Sequence, residues 1–192
     1  MTSPFDARPI VVAIAGPNGA GKSTFFHAHL ASAALRFLNA DDLGRELGVD
    51  ALQGTEVANR LRQELVEQGE SFVFETVFSD PVGDKVEFLA RAAARGYAVV
   101  LVFIGLDSAG TSEQRVAMRV LQGGHDVPLD KVAARFPRIL ENLARAIQRL
   151  PHVLVFDNSD LARPFRKVGE YRGGKLVSLT RPVPAWLPVK KG

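Results

Sequence analysis

The chain has 192 residues and a mass of 20.8 kDa, with 46% hydrophobic and 23% charged residues, which suits one packed domain and is too apolar for a disordered chain. No run of 18 apolar residues is present, residues 1–8 lack the basic-then-apolar pattern of a secretion signal, and the lack of cysteine excludes disulfides and thiolate metal sites, so a cytoplasmic protein with no membrane partner is expected. The balance of 24 basic against 21 acidic residues gives a formal charge of +3 and a pI of about 9.4, milder than a concentrated nucleic-acid surface and equally suited to a phosphorylated small molecule.

Short apolar runs alternate with longer segments of helical period, the pattern of a parallel sheet covered by helices. Residues 10–15, IVVAIA, are apolar throughout, as expected for a strand buried on both faces. A glycine-rich turn and a helix through Leu35 follow, then a short second strand at 37–39 leading to Asp41-Asp42. The spacing of Val57, Leu61 and Leu65 predicts a helix over 55–68, stopped by Gly69. Residues 72–74 make a third strand that runs into Glu75-Thr76, and Asp80-Pro81 reads as the cap and first-turn proline of a helix ended by Gly96.

The fourth strand is expected over 97–104. Thr111 with Gln114 reads as a capping box for a helix through Leu121. A longer helix follows Val127-Pro128 and reaches Leu150, with Pro137 as a candidate kink. Residues 153–156 form the fifth strand, ending in Asp157-Asn158-Ser159. Residues 165–171 and 176–179 flank Gly173-Gly174 as a β-hairpin, and the proline-rich stretch 182–192 is expected to pack as an irregular strap or to fray. The expected organisation is one domain over 1–192, with its core at about 9–160 and the hairpin and tail over 161–192.

Gly16-Pro17-Asn18-Gly19-Ala20-Gly21-Lys22-Ser23-Thr24 satisfies the pattern G-x-x-x-x-G-K-[ST], which chance places in roughly one sequence of this composition in 200. A buried-type strand precedes it and a helical segment follows, as the motif requires. Glycines let the backbone wrap phosphates with its N–H groups turned inward, and the helix N-terminus adds positive potential. Lys22 is expected at the β- and γ-phosphates, and the Ser23 hydroxyl on Mg²⁺ that arrives with ATP or GTP. The motif assigns the chain to an α/β P-loop NTPase fold, a three-layer sandwich. Its mainly parallel five-stranded sheet is expected in the order 2-3-1-4-5, because Glu75 approaches the phosphate loop only if the third strand neighbours the first.

Ligands in open parallel sheets sit beyond the carboxyl ends of the strands. Three strands end there in carboxylates: Asp41 and Asp42, Glu75, and Asp157. A carboxylate in that position ligates or orients Mg²⁺, or accepts the proton of an attacking hydroxyl. The alternatives are structural, with Asp41 or Asp42 capping the next helix and Asp157 turning the chain. Arg115 and Arg119 stand i, i+4 on one predicted helix and share a face suited to clamping phosphates. Arg135 and Arg138 are candidates for a lid over the nucleotide, whereas Arg145 and Arg149 read as a solvated face. His125, in Gly123-Gly124-His125, has no partner at ligand spacing and reads as a loop hydrogen-bonder.

Together, GPNGAGKST, LNADD, FVFETVFSD, RVAMRVLQGGHDVP, a basic helix and VFDNS occur in the order found in zeta-toxin-like P-loop kinases, and the resemblance spans about residues 10–159. That resemblance implies a cytosolic kinase of a toxin–antitoxin system. Its implied reaction is γ-phosphate transfer to the 3′-hydroxyl of UDP-N-acetylglucosamine, and its implied partner an antitoxin protein. Asp41 matches the carboxylate that deprotonates the acceptor hydroxyl. Glu75 and Thr76 match substrate-holding positions, with Asn39 and Asp42 beside them. Arg115 and Arg119 resemble the arginines that stabilise the transferring phosphoryl group. Residues 42–74 give only 33 positions between Asp41 and Glu75, so a small acceptor pocket is expected, as in the compact branch of the family.

Three other readings compete. A nucleoside, antibiotic or metabolite kinase without toxicity shares the same loop. Residues 121–125, LQGGH, superficially resemble the signature of a transport ATPase, but Asn158 stands where the glutamate after Asp157 is needed. A nucleic-acid end kinase suits the pI but lacks a basic surface interleaved with aromatics.

Overall fold

In a computed structural model, which describes residues 4–121 and 128–188, the apolar run at 10–15 is the central strand β1 (Ile10–Ala15). Val11, Ala13 and Ala15 face one apolar cluster, and Ile10, Val12 and Ile14 face another. Alternate side chains of a strand point to opposite faces. The continuous run is therefore the signature of a strand covered twice.

The sheet orders its strands β2-β3-β1-β4-β5-β6-β7. Strands β2 (Arg36–Leu38), β3 (Phe72–Thr76), β4 (Ala98–Gly105) and β5 (His152–Asp157) join β1 in the parallel part, in the expected order. The hairpin β6 (Arg166–Arg172) and β7 (Lys175–Leu179) does not sit apart from the sheet. β6 pairs antiparallel with β5, so the sheet has seven strands rather than five. The pairing follows from burial: Val168 and Tyr171 join the core beside Val153 and Val155.

On one face pack α3 (Ala51–Glu67), α4 (Asp84–Ala94) and α6 (Leu129–Arg149), through Leu65, Val86, Leu89, Ile139 and Leu143. On the other packs the helical segment that follows the glycine-rich loop. It is α-helical as α1 (Lys22–Phe25), widens to a π-helix over Phe26–Leu30 and tightens to a 3₁₀ turn at Ala31–Ala33. Its Phe26 stacks on Phe37 of the segment carrying β2, with ring centroids 4.0 Å apart. The short α2 (Ala40–Leu47) and α5 (Ala109–Leu121) complete the described helices, of which none is long and apolar enough to cross a membrane.

Helix starts depart from the apolar spacing where side chains cap the backbone. α3 begins four residues early, because Asp50 and Gln53 form a reciprocal capping box. α4 begins at Asp84, not beside Pro81; the Asp80 side chain accepts from the Asp84 N–H across a turn closed by Gly83. In α5 the Ser108 hydroxyl accepts from Thr111 N–H at 3.1 Å, so Thr111 lies inside the first turn and is not the cap. α6 runs through Pro137 as one helix. Residues 182–188 form the expected strap and do not fray. Trp186 packs against Phe103, and a Cβ at Gly105 would lie 2.2 Å from the indole ring.

The β5–β6 seam carries a charge cluster centred on the buried carboxylate of Glu170. Lys167 Nζ donates to Glu170 Oε2 at 2.7 Å, Arg172 Nε donates to Oε1 at 3.0 Å, and His152 Nε2 lies 3.1 Å from Oε1. The bond from Lys167, followed by that from Arg172, holds the Glu170 carboxyl at about 2, against an ordinary 4.5. A carboxyl depressed on folding stabilises the folded state above its unfolded pKa and loses that contribution as pH falls through the folded one. Glu170→Gln should therefore lower the melting temperature at pH 7. The gap from wild type should close as pH falls from 4.5 towards 2. Thermal melts of both proteins across that range check it; a constant gap would assign the effect to packing.

Candidate functional site

β1 leads directly into the phosphate-type loop. Gly16 has φ +148°, and a Cβ there would lie 2.1 Å from the Ile104 carbonyl oxygen, so only glycine lets the chain turn this close to β4. Ser112 Oγ donates to Asn18 O at 2.6 Å and Asn158 Nδ2 donates to Ala20 O at 2.9 Å, so α5 and the segment after β5 brace the loop from behind. Asn158 therefore has a structural task at the place where a transport ATPase carries glutamate.

Lys22 opens α1 and is only 6% exposed. Its ammonium donates to Pro17 O at 3.0 Å and lies 3.7 Å from Glu75 Oε1. Burial pushes the Lys22 pKa down, opposed chiefly by the Glu75 charge; Arg119 lowers it further and Asp41 raises it. Glu75, Arg119 and Asp41 thus each act electrostatically on Lys22. Arg115, one turn before Arg119, is engaged differently. Its guanidinium donates to Ser159 O at 3.1 Å and reaches Gly19 O at 3.5 Å, which ties it to the loop's backbone. Asp157 also turns inward to the chain, accepting from Ser159 Oγ at 2.6 Å and pairing with Arg166 at 3.1 Å.

Glu75 is positioned by register. It pairs with Ile14 across the parallel β1–β3 ladder and shares the face of Val73, which is the α1 side of the sheet. Ser23 Oγ donates to Glu75 Oε2 at 2.6 Å, and Asn39 Nδ2 donates to the same oxygen at 3.3 Å. Asn39 is also the N-cap of α2, its Oδ1 accepting from Asp41 N–H at 2.9 Å. Neither Asp41 nor Asp42 is therefore the cap. Asp41 sits in the first turn and faces the cavity described below, whereas Asp42 pairs with Arg45 and is not in the cavity wall. Among the described residues no group of three His, Cys, Asp or Glu is placed to hold a metal alone. A hydroxyl and a carboxylate beside a phosphate loop do suit Mg²⁺, which keeps most of its shell as water and phosphate oxygen.

Asn18, Asn39, Asp41, Glu75 and Thr76 line one cavity of about 740 Å³. The short stretch between Asp41 and Glu75 does not make it small, because α4, α6 and the loop after β3 build the far wall. That loop is held by Asn142 of α6, whose Nδ2 donates to Phe78 O at 2.9 Å and Asp80 O at 2.8 Å. Phe78 is buried with φ +67°, an outlier sustained by those bonds. Arg135 and Arg138 line the cavity with Lys131, while Arg149 pairs with Glu87 outside it at 2.7 Å. Arg62 and Lys85 line it too, and sequence reasoning missed both, since each reads there as one more polar position of an amphipathic helix. Gly123, Gly124 and His125 lie outside the described residues.

The family model described as Zeta toxin matches residues 49–168, a span that starts after the phosphate loop. No curated protein matches the chain. Among solved structures, the AvrRxo1-ORF1:-ORF2 complex with ATP superposes with a TM-score of 0.70 at 19% identity, covering 91% of this chain and 61% of that one. The PezAT chromosomal toxin–antitoxin system of Streptococcus pneumoniae gives 0.58 at 14%, covering 86% and 72%. A putative kinase from Chloroflexus aurantiacus gives 0.58 at 16%, covering 82% and 90%. At these identities the likeness is one of fold, and the chain spans about three fifths of the matched chain of the AvrRxo1-ORF1:-ORF2 complex.

The α2–α3 contact that carries Asp41 is set by glycine. A Cβ at Gly54 would lie 2.8 Å from Ala40 O and 3.0 Å from Gly44 Cα. Gly54→Ala gains about 1 kcal/mol of helix propensity, but forcing the helices apart costs about 1–3 kcal/mol. The variant should melt below wild type in a thermal scan. A higher melting temperature would mean that α2 moves freely.

Proposed function

The chain belongs to the zeta toxin family, and on that premise we propose that it is an ATP-dependent kinase that phosphorylates a hydroxyl of a small acceptor. The observation that carries the reading is the single cavity lined at once by the phosphate-loop residue Asn18, by Asp41 and by Glu75. A cavity of about 740 Å³ falls in the range of small-molecule sites and far exceeds what a lone water needs for hydrolysis. By family resemblance the acceptor is a sugar nucleotide such as UDP-N-acetylglucosamine. A toxin–antitoxin setting, with an antitoxin protein as partner, is supported by the same resemblance and by the likeness to the PezAT toxin–antitoxin system. The described residues would act as one kinase unit.

In this reading the loop from Gly16 to Thr24 wraps the triphosphate with backbone N–H groups, at the N-terminus of α1. Lys22 leaves Pro17 O and bridges the β- and γ-phosphates. Ser23 and Glu75 would hold Mg²⁺, which would supply positive charge against the phosphates. The acceptor hydroxyl enters from the cavity side, Asp41 accepts its proton, and the oxygen attacks the γ-phosphorus. The bond to the bridging oxygen breaks, and ADP departs with that electron pair. Arg119 adds positive charge on the side of Lys22, while Arg115 keeps the loop rigid through Gly19 and Ser159. Thr76 and Asn39 border the acceptor.

Lys22→Ala should abolish transfer of labelled γ-phosphate while circular dichroism stays native, because the fold loses a buried cation rather than an apolar contact. Near wild-type turnover would remove the loop from the mechanism.

Asp41→Asn should lower acceptor phosphorylation by about 10²–10⁴-fold, because the amide keeps the size but takes no proton. The Kd for ATP should stay within about twofold of wild type, since the loop and Lys22 remain. Measuring both on one variant decides the role. Surviving activity would make Asp41 a helix-turn residue, and weakened Mg²⁺·ATP binding would move it to the metal shell.

A further inference from the structure

One polar side chain interrupts the buried apolar stripe of α6. Val132, Ile139, Leu143 and Ala146 are buried, and among them Asn142 is buried just as deeply, at 1% exposed. Both donors of its amide go to a single loop. Nδ2 donates to Phe78 O at 2.9 Å and to Asp80 O at 2.8 Å, while Oδ1 accepts from Arg145 Nη1 at 3.3 Å.

That loop leaves β3 and lines the cavity from Thr76 to Asp80. It bends at Phe78, whose φ of +67° is costly for a side chain with a Cβ. Thr76 Oγ1 accepts from the Phe78 N–H at 3.2 Å, so Thr76 and Asn142 hold the strained residue by its N–H and its carbonyl. Arg138 stands one turn before Asn142 on α6 and lines the same cavity. Asn142 thus sits at the joint between the loop and the basic turn of α6, behind the cavity wall and not in it.

Packing alone does not account for an amide here. Leucine has the same branched shape and would suit the stripe, and the loop could turn its carbonyls to water in the cavity beside it. What the two bonds add is direction. Carbonyls held against α6 do not face the cavity, and a bend held at Phe78 keeps Ser79 and Asp80 in one place along its wall.

We propose that Asn142 is a positioning residue for phosphoryl transfer. Through the backbone of Phe78 and Asp80 it fixes the β3 exit loop against the arginine-bearing turn of α6, and so sets where the acceptor lies relative to the γ-phosphate. The role rests on the kinase reading, whereas the clamp itself is measurable without catalysis.

Asn142→Leu and Asn142→Asp both remove the donors, yet they differ in stability. Asn142→Leu extends the apolar stripe and Asn142→Asp buries a charge, so Asn142→Asp should melt lower. Transfer from ATP is measured, below both melting temperatures, to whichever of UDP-sugars, nucleosides and aminoglycosides the wild type phosphorylates, together with loss of phosphate to water. In both variants KM for the acceptor should rise by about tenfold or more, and the ratio of transfer to hydrolysis should fall by about as much. Kd for ATP should stay within about twofold of wild type. Hydrogen exchange of amides 77–80 should quicken in both, while amides 139–147 of α6 stay protected.

The proposal falls if exchange in the loop is unchanged, or if it quickens while acceptor KM and the transfer ratio keep their wild-type values. It falls equally if the kinetic loss follows melting temperature, small in Asn142→Leu and large in Asn142→Asp, since a merely structural residue behaves that way. A wild type that phosphorylates none of these acceptors overturns the kinase reading instead. Loop exchange then judges the clamp by itself, and wild-type rates in both variants would overturn that too.

Discussion

The meeting of Glu75 with Ser23 and Lys22 organises this molecule. Ser23 Oγ lies 2.6 Å from one carboxylate oxygen and Lys22 Nζ 3.7 Å from the other, inside a wall where Lys22 is almost fully buried. Isolated, the buried ammonium would be strongly disfavoured; opposite a carboxylate it is tolerated, though its pKa stays depressed. The contact exists only because β3 lies beside β1 in a register that sets Glu75 against Ile14. A slip of one residue would send Glu75 to the α3 side and break it.

Around that contact the loop is held by groups remote in sequence. Ser112, Arg115 and Asn158 all bond to carbonyls of the loop or of the segment beside it. Carbonyls taken up from behind leave the N–H groups to face the ligand side, which is what a phosphate requires. The cavity side is built likewise: Asn142 fixes the loop after β3, and Asn39 ties the start of α2 to Glu75. Small amides, more than charges, set the shape of both halves of the site. The cavity wall itself carries five basic side chains, Arg62, Lys85, Lys131, Arg135 and Arg138, against the acids Asp41, Glu75 and Asp80. A mild net charge of +3 for the whole chain conceals this local excess.

The phosphate loop, the parallel strands and their order were legible because each has a local or periodic signature. Glycines recur at fixed spacing in the loop, and residues buried on both faces read as unbroken apolar runs. Asp41 and Glu75 were legible as carboxylates at strand ends. Helix starts were less so: Asp50, Gly83 and Ser108 set them through side-chain or left-handed backbone caps that apolar spacing does not register. Asp42 and Arg115 carry the same residue-type signals as Asp41 and Arg119. Only geometry turns Asp42 to Arg45 and Arg115 to the loop backbone.

Residue identity and spacing thus determined the nucleotide-type loop, the α/β sandwich and the family, since these depend on contacts between near neighbours and on periodic burial. Tertiary packing alone decided the size and charge of the cavity beside the loop. Its walls come from α2, α3, β3, α4 and α6, and the side chains converge only when helices crossing the same sheet bring them together. Arg62 and Lys85 stand 23 positions apart, yet share one oxygen of Asn59 because α3 and α4 pack on the same face. No local pattern encodes that meeting, because its energy resides in charge buried across two helices.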